Sequence, residues 1–229
     1  MLTHDQQIVL LQTIYNAFRR WSSRFSFACH KGCATCCTQS VTMTTLEGQG
    51  IVAYLAANGR QAELDASAFQ YPVNTTTRLT TNTFVGAHLK GKEVEEPAGW
   101  DMRPCPFLAE NACTIYPVRP FGCRLFASLA SCATNGAADM PPGYLAASTI
   151  LLQCIEHLDN NGRWDTLVGI LNGLAGKGRA ETVGEPTAPI PGFLVAPEER
   201  GVVAPLTDEL FQHEINGKPF EQWLAEARS

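Results

Sequence analysis

Four thiols stand within nine residues at Cys29-His30-Lys31-Gly32-Cys33-Ala34-Thr35-Cys36-Cys37, and this stretch limits the fold more than any other. Packing alone does not call for cysteine at such density. Two residues between thiols is the spacing of a turn that aims both sulfurs at one ion, about 2.3 Å from a zinc. Cys33 and Cys36 have that spacing, and Cys29 lies one turn earlier. Cys37 is the informative member. Adjacent side chains diverge, so a vicinal pair more readily serves two metals, or two atoms of a cluster, than one tetrahedral ion. A second block carries Cys105, Cys113, Cys123 and Cys132. Eight thiols suit two four-thiolate sites or one larger polynuclear one. The ninth, Cys154, falls at an apolar position of a helical pattern and reads as a small core hydrophobe.

The meaning of the cysteines depends on the compartment. The first residues, Met1-Leu2-Thr3-His4-Asp5-Gln6, are polar and lack the basic-then-apolar order of a signal peptide. No apolar run approaches the roughly 20 residues of a membrane span. The expectation is a cytoplasmic protein, in which thiols stay reduced and read as metal-binding or redox groups before disulfides. A net charge of −5 argues against non-specific nucleic-acid binding, which relies on Lys and Arg to neutralise phosphates. A thioredoxin-like dithiol fits Cys33-Ala34-Thr35-Cys36 alone but leaves Cys29 and Cys37 idle and lacks a βαβ setting. Cys29-x3-Cys33-x2-Cys36 also has the spacing of the cluster ligands in radical S-adenosylmethionine enzymes. There it follows a strand of a β/α barrel, whereas a helical pattern precedes it here. Mixed ligation with His30 or His157 is a further alternative that eight thiols make unnecessary. Four cations, Lys31, Arg103, Arg119 and Arg124, lie within four residues of cysteines and can donate hydrogen bonds to metal-bound sulfur.

Most of the remaining chain reads as scaffold. Ile8, Leu11, Ile14, Tyr15, Phe18, Trp21 and Phe25 recur at helical steps, predicting a helix over residues 4–26 started by a Thr3/Gln6 capping box. A second box, Thr44-Thr45-Leu46-Glu47, opens a helix to about Asn58, with Gly59 just beyond its end. Residues 60–69 read as helix, and so does the Thr-rich run on to His88. Pro104, Pro106, Pro117 and Pro120 exclude a long helix over 100–132 and suit turns around a ligand. Helices follow at 143–159 and 164–174. Lys177 to Pro191 has linker composition. Beyond it, Phe193-Leu194-Val195 and Val202-Val203-Ala204 suggest a hairpin, Asn216-Gly217 a second turn, and Phe220, Trp223 and Leu224 a closing helix.

These residues resemble a known family. Cys29, Cys33, Cys36 and Cys37, Thr45 with Glu47, Cys105-Pro106-Phe107-Leu108, Cys113-Thr114-Ile115-Tyr116, Arg119-Pro120 and Cys123-Arg124 are similar to the cysteine-cluster family described as a zinc- or iron-chelating domain. The resemblance is close over about 25–135 and loose to about 175. It implies an eight-cysteine ligand set. Ser128-Leu129 with Cys132 looks like one branch of the family, which places Cys132 ahead of Cys154 as the eighth ligand. Flagellin lysine methylases are similar in carrying such a cluster, so the resemblance suggests iron–sulfur as readily as zinc. No S-adenosylmethionine-binding glycine motif accompanies it, and methylase activity does not carry over.

The expected architecture is a mainly α, irregular helical cysteine-rich metal-binding domain over 1–180. A linker and a small mixed α/β extension follow over 181–229. Two functions compete. One is a redox or electron-transfer component, or part of an enzyme, holding one or two iron–sulfur clusters such as 4Fe–4S. The other is a zinc-stabilised accessory module. The C-terminal extension docks on its own domain, on a protein partner or on a homodimer mate.

Overall fold

Thr3 starts the first helix as its spacing predicts. Its hydroxyl accepts from the Gln6 N–H, and its own N–H donates to the Gln6 side chain at 2.8 Å, opening α1 (His4–Ser22). The face formed by Leu10, Leu11, Ile14, Tyr15, Phe18 and Trp21 is buried. The helix stops at Ser22, short of residue 26. Arg24 lies over the Trp21 and Phe25 rings at 4.5 and 4.9 Å and donates to the Val202 carbonyl. Phe25 and Phe27 then turn onto the Tyr144 ring. Aromatic packing takes over from helical hydrogen bonding at this point.

The computed structural model describes residues 2–30, 32–65, 79–94, 101–176 and 184–228, and the protein is mainly α. Strand β1 (Thr42–Thr44) leads directly into α2 (Thr45–Ala57), whose capping box is formed by Thr44 and Glu47. Gly59, at φ 68°, takes the left-handed conformation that ends a helix, and the Arg60 N–H returns to the Leu55 carbonyl at 2.8 Å. Of the helix expected over 60–69, Gln61–Asp65 form a short 3-10 helix, and residues 66–69 lie outside the described residues. The Thr-rich pattern yields α3 (Thr81–Leu89), capped by Thr80; the part before residue 79 also lies outside them.

The proline-rich block holds the hairpin β2 (Leu108–Ala109) and β3 (Ala112–Cys113), then the short helices α4 (Phe121–Leu125) and α5 (Cys132–Asn135). Helix α6 (Tyr144–Leu158) runs through the middle of the molecule. Residues 164–166, expected as helix, instead belong to β4 (Arg163–Thr166). β4 pairs antiparallel with β1, Met43 opposite Asp165, and Thr166 then caps α7 (Leu167–Leu174). Strand β5 (Glu185–Pro186) completes a three-stranded sheet in the order β1-β4-β5.

The hairpin expected around 193–204 is absent, since its second arm is helical in α8 (Arg200–Phe211). Val203, Leu206 and Leu210 recur at helical steps and are buried, so burial outweighs the strand preference of Val202 and Val203. The Asn216-Gly217 turn forms as expected. Both residues have positive φ, 53° and 76°, and join β6 (Glu214–Ile215) to β7 (Lys218–Pro219) ahead of α9 (Phe220–Glu226).

Two apolar clusters organise these elements. The larger joins α1, α6, α8 and α9 through residues such as Ile14, Phe18, Leu151, Leu206 and Phe220, and Phe121 and Leu125 enter it. The smaller joins β1, α2 and α7 through Met43, Ile51, Leu55 and Leu171, and Phe107 and Ile115 enter it. The C-terminal extension is therefore continuous with the main core. Cys154 is fully buried in that core, and burial pushes its thiol up to about 12. Among the described residues no helix is long and apolar enough to cross a membrane.

Candidate metal centre

The cysteine block is suspended between the two cores. Phe107 and Ile115 plug into the smaller core, and Phe121 and Leu125 into the larger. Their burial fixes the backbone that carries Cys105, Cys113 and Cys123. The first cysteine loop is laced onto this frame. The Cys105 N–H donates to the Cys37 carbonyl at 2.9 Å, and the Gln39 N–H to the Arg103 carbonyl at 3.0 Å. Thr38 bridges Pro104, and the Gln39 amide donates to the Pro104 carbonyl at 3.1 Å. Further along, the Ala28 N–H donates to the Ser128 carbonyl at 2.8 Å, drawing Cys29 toward the loop that bears Cys132.

All nine cysteines are free thiols. Eight gather around this frame. Cys37, Cys105, Cys113 and Cys123 lie within one another's electrostatic range in every pairing. Cys29 lies within electrostatic range of Cys33, Cys36 and Cys132. Cys36 and Cys37 stand at the junction, and the Cys36 thiol donates to the Cys37 sulfur. This bond raises the Cys36 thiol above its ordinary range and lowers that of Cys37. Burial raises Cys123, and Cys105 and Cys113 beside it add to the shift. Burial also raises Cys105, against a hydrogen bond from the Phe107 backbone to its sulfur. The Ser128 backbone makes the corresponding bond to Cys29. Backbone N–H groups aimed at sulfur are the hydrogen-bonding environment that steadies a metal-bound thiolate.

The four cations differ. Arg119 lies over the Tyr116 ring at 3.7 Å, its charge acting on Cys36 and Cys123, and its Nε is buried without a hydrogen-bond partner. Arg124 lies over the Tyr15 ring at 4.2 Å and donates to the Arg119 and Pro117 carbonyls, bracing the turn before Cys123. Arg103 forks onto Asp101 at the surface. Lys31 lies outside the described residues. His30 Nδ1 contacts the Ala28 carbonyl, and His157 bonds the backbone of Ile190 and Leu224, both far in sequence from the eight candidate ligands.

Glu47 emerges with a second role that its capping motif alone does not reveal. One carboxylate oxygen accepts from the Thr44 N–H at 3.0 Å. The other accepts from the Tyr15 hydroxyl at 2.8 Å and from the Phe121 N–H at 2.7 Å. This one buried side chain thereby ties α1 and α2 to the start of α4, two residues before Cys123. Desolvation and the Glu47 charge hold the Tyr15 hydroxyl well above its ordinary range, so it stays a donor. A long-range bond of this kind has no signature in sequence spacing.

The donor set fits a thiophilic metal: eight reduced thiols, backbone N–H groups aimed at two of them, and a buried guanidinium nitrogen with no protein acceptor. As placed, the sulfurs are grouped and not closed. Among the described residues no three His, Cys, Asp or Glu side chains are arranged to hold an ion.

Fold and site together define a mainly α cysteine-cluster protein, with a thiol-rich loop frame held between two apolar cores. Residues 28–141 match the model of the CxxCxxCC family, "Putative zinc- or iron-chelating domain", so this segment carries that domain. Comparisons with curated proteins and with solved structures return no match.

Proposed function

We propose that the protein binds iron–sulfur through the eight thiols Cys29, Cys33, Cys36, Cys37, Cys105, Cys113, Cys123 and Cys132, and serves as a redox component in a reducing compartment such as the cytoplasm. The observation that carries the reading is the gathering of eight free thiols around a vicinal pair, with the Arg119 charge directed at them. Thiolate-ligated centres are anionic. The half-buried Arg119, whose Nε is buried without a protein acceptor, is a ready counter-charge and hydrogen-bond donor for one. When bound, such a cluster supplies one-electron chemistry. The chain's own residues hold the sulfurs, limit solvent access and set the local charge. The role is that of an electron carrier or of an electron-transfer part within an enzyme.

Zinc is the second reading, favoured by the family's description, which names it beside iron. Four thiolates satisfy either metal. A zinc protein here would be a structural accessory module. Any protein partner or second copy would meet the outer side of the C-terminal segment, where Phe193 and Leu194 are exposed, because its inner side is packed on α1 and α6. Anaerobic purification with a visible spectrum, metal analysis and acid-labile sulfide separates the two metals. Broad visible absorption with iron and sulfide in equal amounts is expected. A colourless protein with stoichiometric zinc and no sulfide overturns the iron–sulfur reading.

A further inference from the structure

The eight thiols differ in how the chain holds them. Cys37, Cys105, Cys113 and Cys123 form a complete group, each within range of the other three. All four stand on braced backbone. Cys37 and Cys105 are joined by a main-chain hydrogen bond, Cys113 pairs with Leu108 in the β2–β3 hairpin, and Cys123 sits on α4 between buried Phe121 and Leu125. Cys105 and Cys113 also pack against the smaller core. Four thiols are one full tetrahedral set.

The other four are placed differently. Cys29, Cys33 and Cys36 lie in a loop whose described residues have no regular structure; Ala28 ties its start to Ser128, and between its ends it is closed by single-turn bonds such as Cys33 N–H to the His30 carbonyl at 3.0 Å. Cys132 opens α5, a single turn ended by Gly136 in the left-handed conformation. Cys29 and Cys36 are exposed. Cys29 is within electrostatic range of the other three, whereas Cys36 links the two groups, hydrogen-bonded to Cys37 and in range of Cys123 as well.

We propose that the thiols form two adjoining metal sites, an inner one of Cys37, Cys105, Cys113 and Cys123 built into the fold, and an outer one of Cys29, Cys33, Cys36 and Cys132 that gives up its metal to competing ligands. The proposal rests on the metal-binding reading above and holds for iron–sulfur or zinc. The inner site shares its anchors with both cores, so emptying it means disturbing them. The outer site can open by loop motion alone, at small cost in buried surface.

The test uses the full chain purified anaerobically with its metal. The protein is challenged with excess EDTA under native conditions and labelled with N-ethylmaleimide. It is then denatured and labelled with the deuterated reagent, and each cysteine is read by peptide mass. About half of the metal should leave quickly, with Cys29, Cys33, Cys36 and Cys132 carrying the native label and the inner four labelled only after denaturation. Cys132→Ser should halve the metal per chain while largely preserving the melting temperature, whereas Cys113→Ser should lower both. Loss of all the metal in one phase with uniform labelling overturns the partition, and so does a Cys132→Ser protein without metal. A parent protein that never held metal, its eight thiols reacting without chelator, overturns the metal-binding reading itself.

Discussion

Glu47→Ala should be the most damaging single change outside the cysteines. Besides the acceptor of the Thr44 hydroxyl, it removes that of three further buried donors at once: Thr44 N–H, Phe121 N–H and the Tyr15 hydroxyl. Each donor left unsatisfied costs about 1–3 kcal/mol. The three share one carboxylate and can relax together, so the total should fall near the low end of their sum, about 3–6 kcal/mol. In a chain of this length each kcal/mol moves the midpoint by roughly 2–4 °C, giving a drop on the order of 10 °C. Thermal unfolding followed by circular dichroism at fixed metal loading measures it. Glu47→Gln keeps one acceptor oxygen and turns an N–H₂ toward the remaining donors, so about half the loss is expected. Because the Phe121 N–H begins the helix that bears Cys123, the alanine variant should also retain less metal. An alanine variant within about 1 kcal/mol of the parent, with full metal content, would refute the reasoning.

Burial raises the Asp159 carboxyl to about 7, against a hydrogen bond from the Leu46 N–H and with Glu47 nearby adding to the rise. The folded state therefore holds this proton more tightly than the unfolded one. The associated stability is full below about pH 4 and is lost as pH rises through 7, at up to roughly 1.4 kcal/mol per unit. Asp159→Asn should gain on the parent steadily from pH 4 to 7 in urea titrations, and a constant difference would exclude Asp159 as the source. Cys154→Ser should leave the metal content unchanged and cost about 1–3 kcal/mol, since it places a hydroxyl in an apolar site; equal metal loss would make Cys154 a ligand. Gly122→Ala would set a Cβ 2.6 Å from the Thr42 carbonyl, which β-pairing holds in place, so a loss of about 1–3 kcal/mol is expected in denaturant titration. An unchanged midpoint would show that β1 and α4 can separate freely.

What the sequence disclosed depended on the range of the interaction. Both capping boxes, the Gly59 helix end and the Asn216-Gly217 turn are local chemistry, and each was legible. So was Cys154 as a core residue, because helical period assigns it a side. The sheet was not legible: Arg163-Trp164-Asp165-Thr166 has no apolar alternation, and only its partner at 42–44 makes it a strand. Val202-Val203 read as strand because β-branched residues favour one, while α1 and α6 supplied a helical face for burial. The meeting of the two cysteine blocks was expected from their spacing, and the Cys105–Cys37 main-chain bond joins them. The division proposed above was not legible, because it depends on which backbone meets Cys37 and which meets Ala28.

The pairing of α1 with α8 also has a consequence in time. Arg20 bonds Glu209 across 189 residues, and Trp21 donates to the Val202 carbonyl across 181. At about 5–20 residues per second of synthesis, the first helix leaves the ribosome roughly 10–40 s before the segment that covers it. Through that interval its apolar stripe faces solvent and the nearby thiols have no finished frame. A nascent chain of this topology is a natural client for a chaperone that shields apolar helices.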